Sequence, residues 1–282
     1  MIPARNAAAL LPMQLEALAN QTFSGSWEVV IADNGSSDDT AGVALAWRDK
    51  LPHLRVVNAS ARSGASHARN VGARAAKGQL LLFCDADDEA APGWLAAMIQ
   101  TARHFDAVGG PLDNERLNDP VSFSWHRKTA LNELPVVGGF LPYALTANCG
   151  VWAEVLNELE GFDETYRSAG EDTEFFWRLQ LKGFTLGFSE GASMHRRLRD
   201  DLYSLAKQFY GYGKSGPLLY KSFRAQGMPR SSITMAVRSW AWIVLHGFYL
   251  LADRSRKGQW VRAASMRAGK MVGSLKARTL WL

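Results

Sequence analysis

The chain has 282 residues, 47% of them hydrophobic, and a net charge of +5. That size and balance suit one large α/β domain with an appendage, or two small domains. The two cysteines, Cys84 and Cys149, lie far apart with no Cys/His spacing for zinc, and Cys84 reads as a reduced core residue rather than half of a disulfide. No apolar segment of the signal-peptide kind opens the chain, because Pro3 and Arg5 follow within four residues of Met1.

In chain order, Met1 to Asn6 reads as the last residues of a strand and the loop after it, so either the first strand is very short or the start codon stands too far downstream. Leu10, Leu11, Leu15 and Leu18 recur at helical spacing across Ala8 to Asn20. Trp27 to Ala32 is a strand ending in Asp33, and a polar loop with several N-cap candidates leads into a helix to about Lys50. Leu54 to Asn58 is the next strand. Gly64 to Lys77 is loop then helix, with Gly78 expected as its C-cap. Leu80 to Cys84 is a strand and Pro92 to His104 a helix. This alternation predicts a doubly wound, mainly parallel sheet. From Ala107 to Gly150 the pattern is irregular, which in a compact domain points to function. Cys149 to Glu158 is expected as a helix, Glu171 to Lys182 as another, Phe184 to Phe188 as a strand ended by Ala192 to His195, and Asp201 to Gly211 as a helix.

The strongest local signal is the end of the strand Leu80 to Cys84. Three carboxylates, Asp85, Asp87 and Asp88, fall within four residues of an apolar run short enough to be buried on both faces. Open α/β sheets bind ligands at such carboxyl ends. Clustered acids repel unless a cation joins them, and hard oxygen donors favour Mg²⁺ or Mn²⁺. The competing reading is a solvated acidic turn. A second acidic strand end at Asp33 favours a site.

Taken together, these segments resemble family 2 glycosyltransferases of the GT-A fold. The resemblance rests on Ile2-Pro3-Ala4-Arg5-Asn6, Asp33 to Thr40, Gly64 to Gly72, Asp85-Ala86-Asp87-Asp88, Gly161 to Glu164 and Gly170 to Glu174, in the right order over roughly the first two hundred residues. It implies a nucleotide-diphosphate sugar donor, a divalent metal, Mn²⁺ or Mg²⁺, and inversion at the anomeric centre. By resemblance Asp33 accepts a ring N–H of the base, although it could instead cap the following helix, and Pro3 and Arg5 form the other wall of the nucleotide cleft. Arg69 either forks onto a phosphate or bridges Asp85 or another core acid. Asp87 contacts the metal, and Asp85 reaches the ribose or the metal. Asp88 is expected as a turn or acceptor-side residue. Asp172 is the implied general base, with Glu171 orienting it or an acceptor hydroxyl, while both acids also suit a helix N-terminus on electrostatic grounds alone. His195 either completes the metal or phosphate site or is structural. Arg196, Arg197 and Arg199 are expected to hold diphosphate or an anionic acceptor. The Q-x-x-R-W motif of processive members is absent, and Gln208 to Gly213 occupies the comparable region, which favours one sugar per event.

The implied organisation is a catalytic domain over 1–200, with a nucleotide-sugar half of about 1–106 and an acceptor half of about 107–200, followed by a helical extension over 201–282. From Arg196 onward the chain is rich in Lys and Arg. Ile233 to Ala252 is long enough to span a bilayer, but Arg238 and His246 interrupt it, so it is expected either to lie on an anionic membrane surface or to cover the core. A glycan or lipid-linked glycan is the expected acceptor, and the cytoplasm, at the inner face of the membrane, the expected location. No nucleic-acid motif accompanies the basic tail. Two other readings compete. A catalytically silent nucleotide-sugar or glycan-binding domain would not need both the D-x-D and the E-D pair. A nucleotidyltransferase would ordinarily carry a Gly-rich phosphate loop near its N-terminus, and none is clear here.

Overall fold

The computed structural model describes residues 1–51, 53–126, 132–167 and 169–281. Residues 127–131 of the irregular stretch between Ala107 and Gly150 lie outside the described residues. The elements run β1 (Ile2–Ala4), α1 (Leu11–Ala19), β2 (Val29–Asp33), α2 (Thr40–Leu45), β3 (Leu54–Asn58), α3 (Ala65–Ala75), β4 (Leu80–Cys84), β5 (Glu89–Ala90), α4 (Trp94–Ala102), β6 (Ala107–Gly109), β7 (Leu112–Asp113), α5 (Pro120–Ser124), β8 (Asn148–Trp152), α6 (Ala153–Glu158), α7 (Glu171–Leu181), β9 (Leu186–Phe188), β10 (Met194–His195), α8 (Leu202–Phe223), α9 (Ile233–Leu245) and α10 (Arg254–Ala277).

β1, β2 and β3 pair in parallel, and β4, β8, β6 and β9 form a second set in that order. The sets join where the Met1 amine donates to the Leu82 carbonyl at 2.7 Å and the Cys84 N–H to the Met1 carbonyl at 3.3 Å. The continuous strand order is therefore 3-2-1-4-8-6-9, with β8 antiparallel to both its neighbours. β4 alternates between two cores. Leu82 and Cys84 pack with Leu11, Leu15 and Met98 on one face, and Leu81 and Phe83 with Phe162, Phe175 and Phe176 on the other. Burial on both faces is why this strand reads as unbroken apolar sequence.

Three local expectations are corrected. Asn148–Trp152 is a strand, not the start of a helix, and only Ala153–Glu158 is helical. Its place between β4 and β6 requires Gly150, where an added Cβ would lie 2.6 Å from Leu82 Cδ2 and 3.0 Å from Val108 Cγ2. Gly78 is not a left-handed cap. α3 ends at Ala75, and the Gly78 N–H donates to Glu28 Oε1 at 3.1 Å. α8 runs to Phe223 through Pro217, because α10 packs along it so closely that a Cβ on Gly213 would meet the Met266 carbonyl. Tertiary packing there outweighs the backbone bond that proline removes.

Candidate functional site

The carboxyl ends of β1, β2 and β4 open on one side of the sheet. Asp33 closes β2, and its Oδ1 accepts from the Ser36 N–H and hydroxyl at 3.0 and 2.6 Å. Next to it, buried Asn34 donates to the Ala59 and Arg62 carbonyls and accepts from the Gly64 N–H. One side chain thus ties the loops after β2 and β3 together. Pro3 is half-buried on β1, paired with Ala32. Exposed Arg5 donates to Ser63 Oγ at 2.6 Å. Pro3 and Asp33 therefore stand on adjoining strands, β1 and β2, with Arg5 on the loop that leaves β1. A cavity of about 360 Å³ opens beside them, between Arg62–His67 and Asp163–Arg167.

The three acids after β4 converge. Asp85, Asp87 and Asp88 each offer an oxygen, all within 4.8 Å of one another. Asp88, expected at a turn or on the acceptor side, lies in the turn between β4 and β5 and is the buried member of this group. Its Oδ1 accepts from the Arg197 N–H at 2.9 Å, and its Oδ2 is buried without a hydrogen-bond partner. Burial, reinforced by Asp85 and Asp87, raises the Asp88 pKa well above the usual carboxylate value. Burial and Asp85 also raise that of Asp87, against the pull of Arg199. Three converging carboxylates, one with an unpaired buried oxygen, are a hard-oxygen donor set that fits Mg²⁺ or Mn²⁺.

Arg69 joins this group to α7. One end of its fork donates to Asp85 and the other to Glu171, both at 3.0 Å, and the side chain is buried. Desolvation opposes its charge, yet Asp85, Glu171 and Asp172 together raise its pKa. Of the two readings of Arg69, the bridge to core acids is seen directly, with one outer nitrogen on Asp85 and the other on Glu171. α7 starts at Gly170, whose φ of +92° lies in the left-handed region and whose added Cβ would be 2.7 Å from Ser215 Cβ on α8. That start brings Glu171 and Asp172 to the acid group. Asp172 is half-buried, and its Oδ1 accepts from the Thr173 N–H at 2.7 Å. Desolvation and the Glu171 charge push its pKa up to about 7, outweighing Thr173 and Arg69. The turn Gly161–Glu164 is fixed beside α3 by Asn70, which accepts from the Phe162 N–H and donates to its carbonyl.

His195 does not join the acids. On β10 its Nδ1 bonds Asp113 Oδ2 at 2.8 Å and its Nε2 faces Arg116 at 3.2 Å, so both ring nitrogens are engaged away from the carboxylate group. The arginines after it do reach the site. Arg197 braces Asp88 through its backbone N–H and donates from Nε to the Asp87 carbonyl. Arg199 pairs with Asp87 at 3.2 Å. Arg196 donates to the Tyr212 hydroxyl at 3.4 Å, and although burial opposes its charge, Tyr212 and Asp88 raise its pKa. Tyr212 and Tyr143 join the surroundings of the site without being among the residues expected there. Burial and Asp172 raise the Tyr143 pKa, which marks it as a neighbour of the candidate base. Tyr212 falls in the Gln208–Gly213 segment, so its place in the comparable region is a usable signal. Tyr143 lies in the irregular stretch and carries none.

The model of glycosyl transferase family 2 matches residues 1–152, and that of glycosyl transferase family group 2 matches residues 123–264. Glycosyltransferase AglE of Haloferax volcanii is 26% identical over 274 residues, covering 94% of this chain and 87% of its own. The uncharacterized glycosyltransferase YibD of Escherichia coli is 34% identical over 106 residues, which is 38% of this chain and only 30% of YibD. Among solved structures, the mannosyltransferase PcManGT of Pyrobaculum calidifontis, in complex with GDP-Man and Mn²⁺, superposes with a TM-score of 0.66 at 17% identity, over 98% of this chain and 86% of its own. That likeness is one of fold, GT-A. With the family model covering 152 of 282 residues, and its motifs gathered on one side of the sheet, this chain is a glycosyltransferase and belongs to glycosyl transferase family 2.

Proposed function

We propose that the protein is a metal-dependent, inverting glycosyltransferase that moves one sugar from a nucleotide-diphosphate sugar to a hydroxyl of a glycan or lipid-linked glycan, with Asp172 as general base. The observation that carries this reading is the Arg69 bridge, which ties the acid group at the end of β4 to the E-D pair at the start of α7. A base and a diphosphate-binding end then face one cleft, as a displacement at C1 demands. Asp33, Pro3 and Arg5 hold the nucleoside. Asp85, Asp87 and Asp88 hold Mn²⁺ or Mg²⁺, which when bound offsets charge on the departing diphosphate. Arg196 and Arg199 add positive charge on the same side. Asp172 takes the proton of the acceptor hydroxyl as the O–C1 bond forms and the C1–O bond to diphosphate breaks. Its raised pKa supports that role, since a base titrating near neutrality is matched to the work. We further assign residues 1–200 to this chemistry, residues 201–282 to an appended helical part, and the reaction to the cytoplasmic face of the membrane.

A panel of nucleotide sugars, assayed for transfer and for donor hydrolysis with Mn²⁺ and with excess chelator, tests the reading. Release of nucleoside diphosphate that disappears with chelator, or in Asp87→Ala, is expected. Full activity in either case refutes metal dependence. Donor binding with neither hydrolysis nor transfer under any condition refutes the enzyme and favours a silent binding domain.

A further inference from the structure

The C-terminal helices present an apolar face that none of the described residues covers. α9 is clamped on one side, where Ala236 and Ile243 are buried, the Ile243 carbonyl accepts from Trp260 Nε1 at 2.9 Å, and Ser239 Oγ accepts from Arg267. A neighbouring stripe points to solvent. Ile233, Val237, Trp240 and Val244, spaced four, three and four residues apart, are 68%, 62%, 37% and 75% exposed. The 3₁₀ turn after α9, Gly247–Leu251, continues it with Phe248 at 59% and Leu251 at 92%. Scattered exposed apolar residues are ordinary, but six on one helix face and its extension are not.

Charge identifies the occupant. From Ile233 to the end the chain carries nine Arg and Lys and a single acid, Asp253. Arg238 is exposed on α9 itself, and Arg254 and Arg256 are exposed directly after Leu251. Among the described residues no helix is long and apolar enough to cross a membrane. An apolar aromatic stripe flanked by cations, without a spanning helix, has the chemistry of a segment that lies in the headgroup region of an anionic bilayer. A protein partner of matching shape would need acids to meet those arginines, whereas an anionic lipid surface meets both halves of the patch at once.

We propose that α9 and the turn after it form a docking surface for an anionic membrane, with Ile233, Val237, Trp240, Val244, Phe248 and Leu251 inserted among the headgroups and Arg238, Arg254 and Arg256 at lipid phosphates. α10 packs against α8, and α8 reaches the acid group through Tyr212 and Arg196. The docking surface and the cleft therefore share one packed body. The surface itself does not depend on the reaction assigned to the cleft.

The test is cosedimentation of the full chain with phosphatidylcholine vesicles, with and without phosphatidylglycerol. It requires no turnover, so its failure is separate from any failure of the glycosyltransferase chemistry. Binding to the anionic vesicles only, weakened by salt, is expected. Val244→Asp with Leu251→Asp should abolish it while the circular dichroism spectrum stays that of the parent, because both side chains face solvent. Arg238→Gln should weaken it on the order of fivefold. Undiminished vesicle binding by the double variant overturns the proposal, as does equal binding to neutral vesicles. If the parent fails to bind vesicles and is a dimer that the double variant converts to monomer, a second copy covers this face and the membrane is not its occupant.

Discussion

Asp172→Asn separates chemistry from binding and tests the electrostatics of the cleft on two independent readouts. The Asp172 carboxyl titrates at about 7 rather than 3.8, because desolvation and Glu171 both disfavour its charge. A base with that pKa is about one-tenth ionised a unit below it and about nine-tenths a unit above, so kcat should climb nearly tenfold across that interval and then level. The asparagine variant keeps the shape but takes no proton, so turnover should fall by roughly 10² to 10⁴ and the limb should vanish, with donor affinity little changed. Stability should move the other way. A raised folded pKa means that the folded state binds the proton more tightly, so Asp172 lowers stability progressively as pH rises from 3.8 to about 7, and fully above that. At about 1.4 kcal/mol per pKa unit the ceiling is about 4 kcal/mol, and partial solvent access reduces the expected gain in Asp172→Asn to about 2 kcal/mol above neutrality and about zero near pH 4. Steady-state release of nucleoside diphosphate against pH, with urea unfolding at both pH values, measures each half. A variant that retains its turnover, or a parent profile flat through neutrality, refutes the general-base assignment. Equal stability of parent and variant at alkaline pH refutes the electrostatic account.

Asp88→Asn keeps the Arg197 N–H contact but removes one buried carboxylate charge, so donor binding should need more Mn²⁺ in a calorimetric titration, while metal-free stability should rise as repulsion with Asp85 and Asp87 falls. Arg69→Met leaves Asp85 and Glu171 without their shared cation, and should cost about 3–5 kcal/mol in chemical denaturation. Arg69→Lys should recover only part of that, since one ammonium cannot reproduce a two-ended fork. Gly170→Ala should lose about 1–3 kcal/mol through the left-handed φ and the clash with Ser215. Adding Ser215→Gly should return the steric share and not the backbone share; complete rescue by that second change would show that φ is not strained.

Local sequence was enough for the parts of this protein whose physics is local. A strand buried on both faces must be apolar throughout, so Leu80 to Cys84 was legible, and so were the acids that end it. Amphipathic spacing marked α1 and α7, and the ordered motifs led to the family. Other features depend on what packs beside a segment. Asn148–Trp152 is a strand only because β4 and β6 leave a slot in which Gly150 admits their side chains, and nothing within those five residues encodes that slot. α8 continues through Pro217 because α10 lies against it. The site divides in the same way. That Asp85, Asp87 and Asp88 share a strand end follows from adjacency in the chain. That Asp88 is the buried one with an unpaired oxygen, that Arg69 spends both ends of its fork on carboxylates 16 and 102 residues away, and that His195 turns to Asp113 are outcomes of long-range approach. Likewise the apolar composition of Ile233 to Ala252 is compatible with both core cover and a membrane surface. Which of its faces meets α10 and which meets solvent was decided by the tertiary structure, because a helix pattern fixes the angles between side chains and not the direction in which the helix is turned.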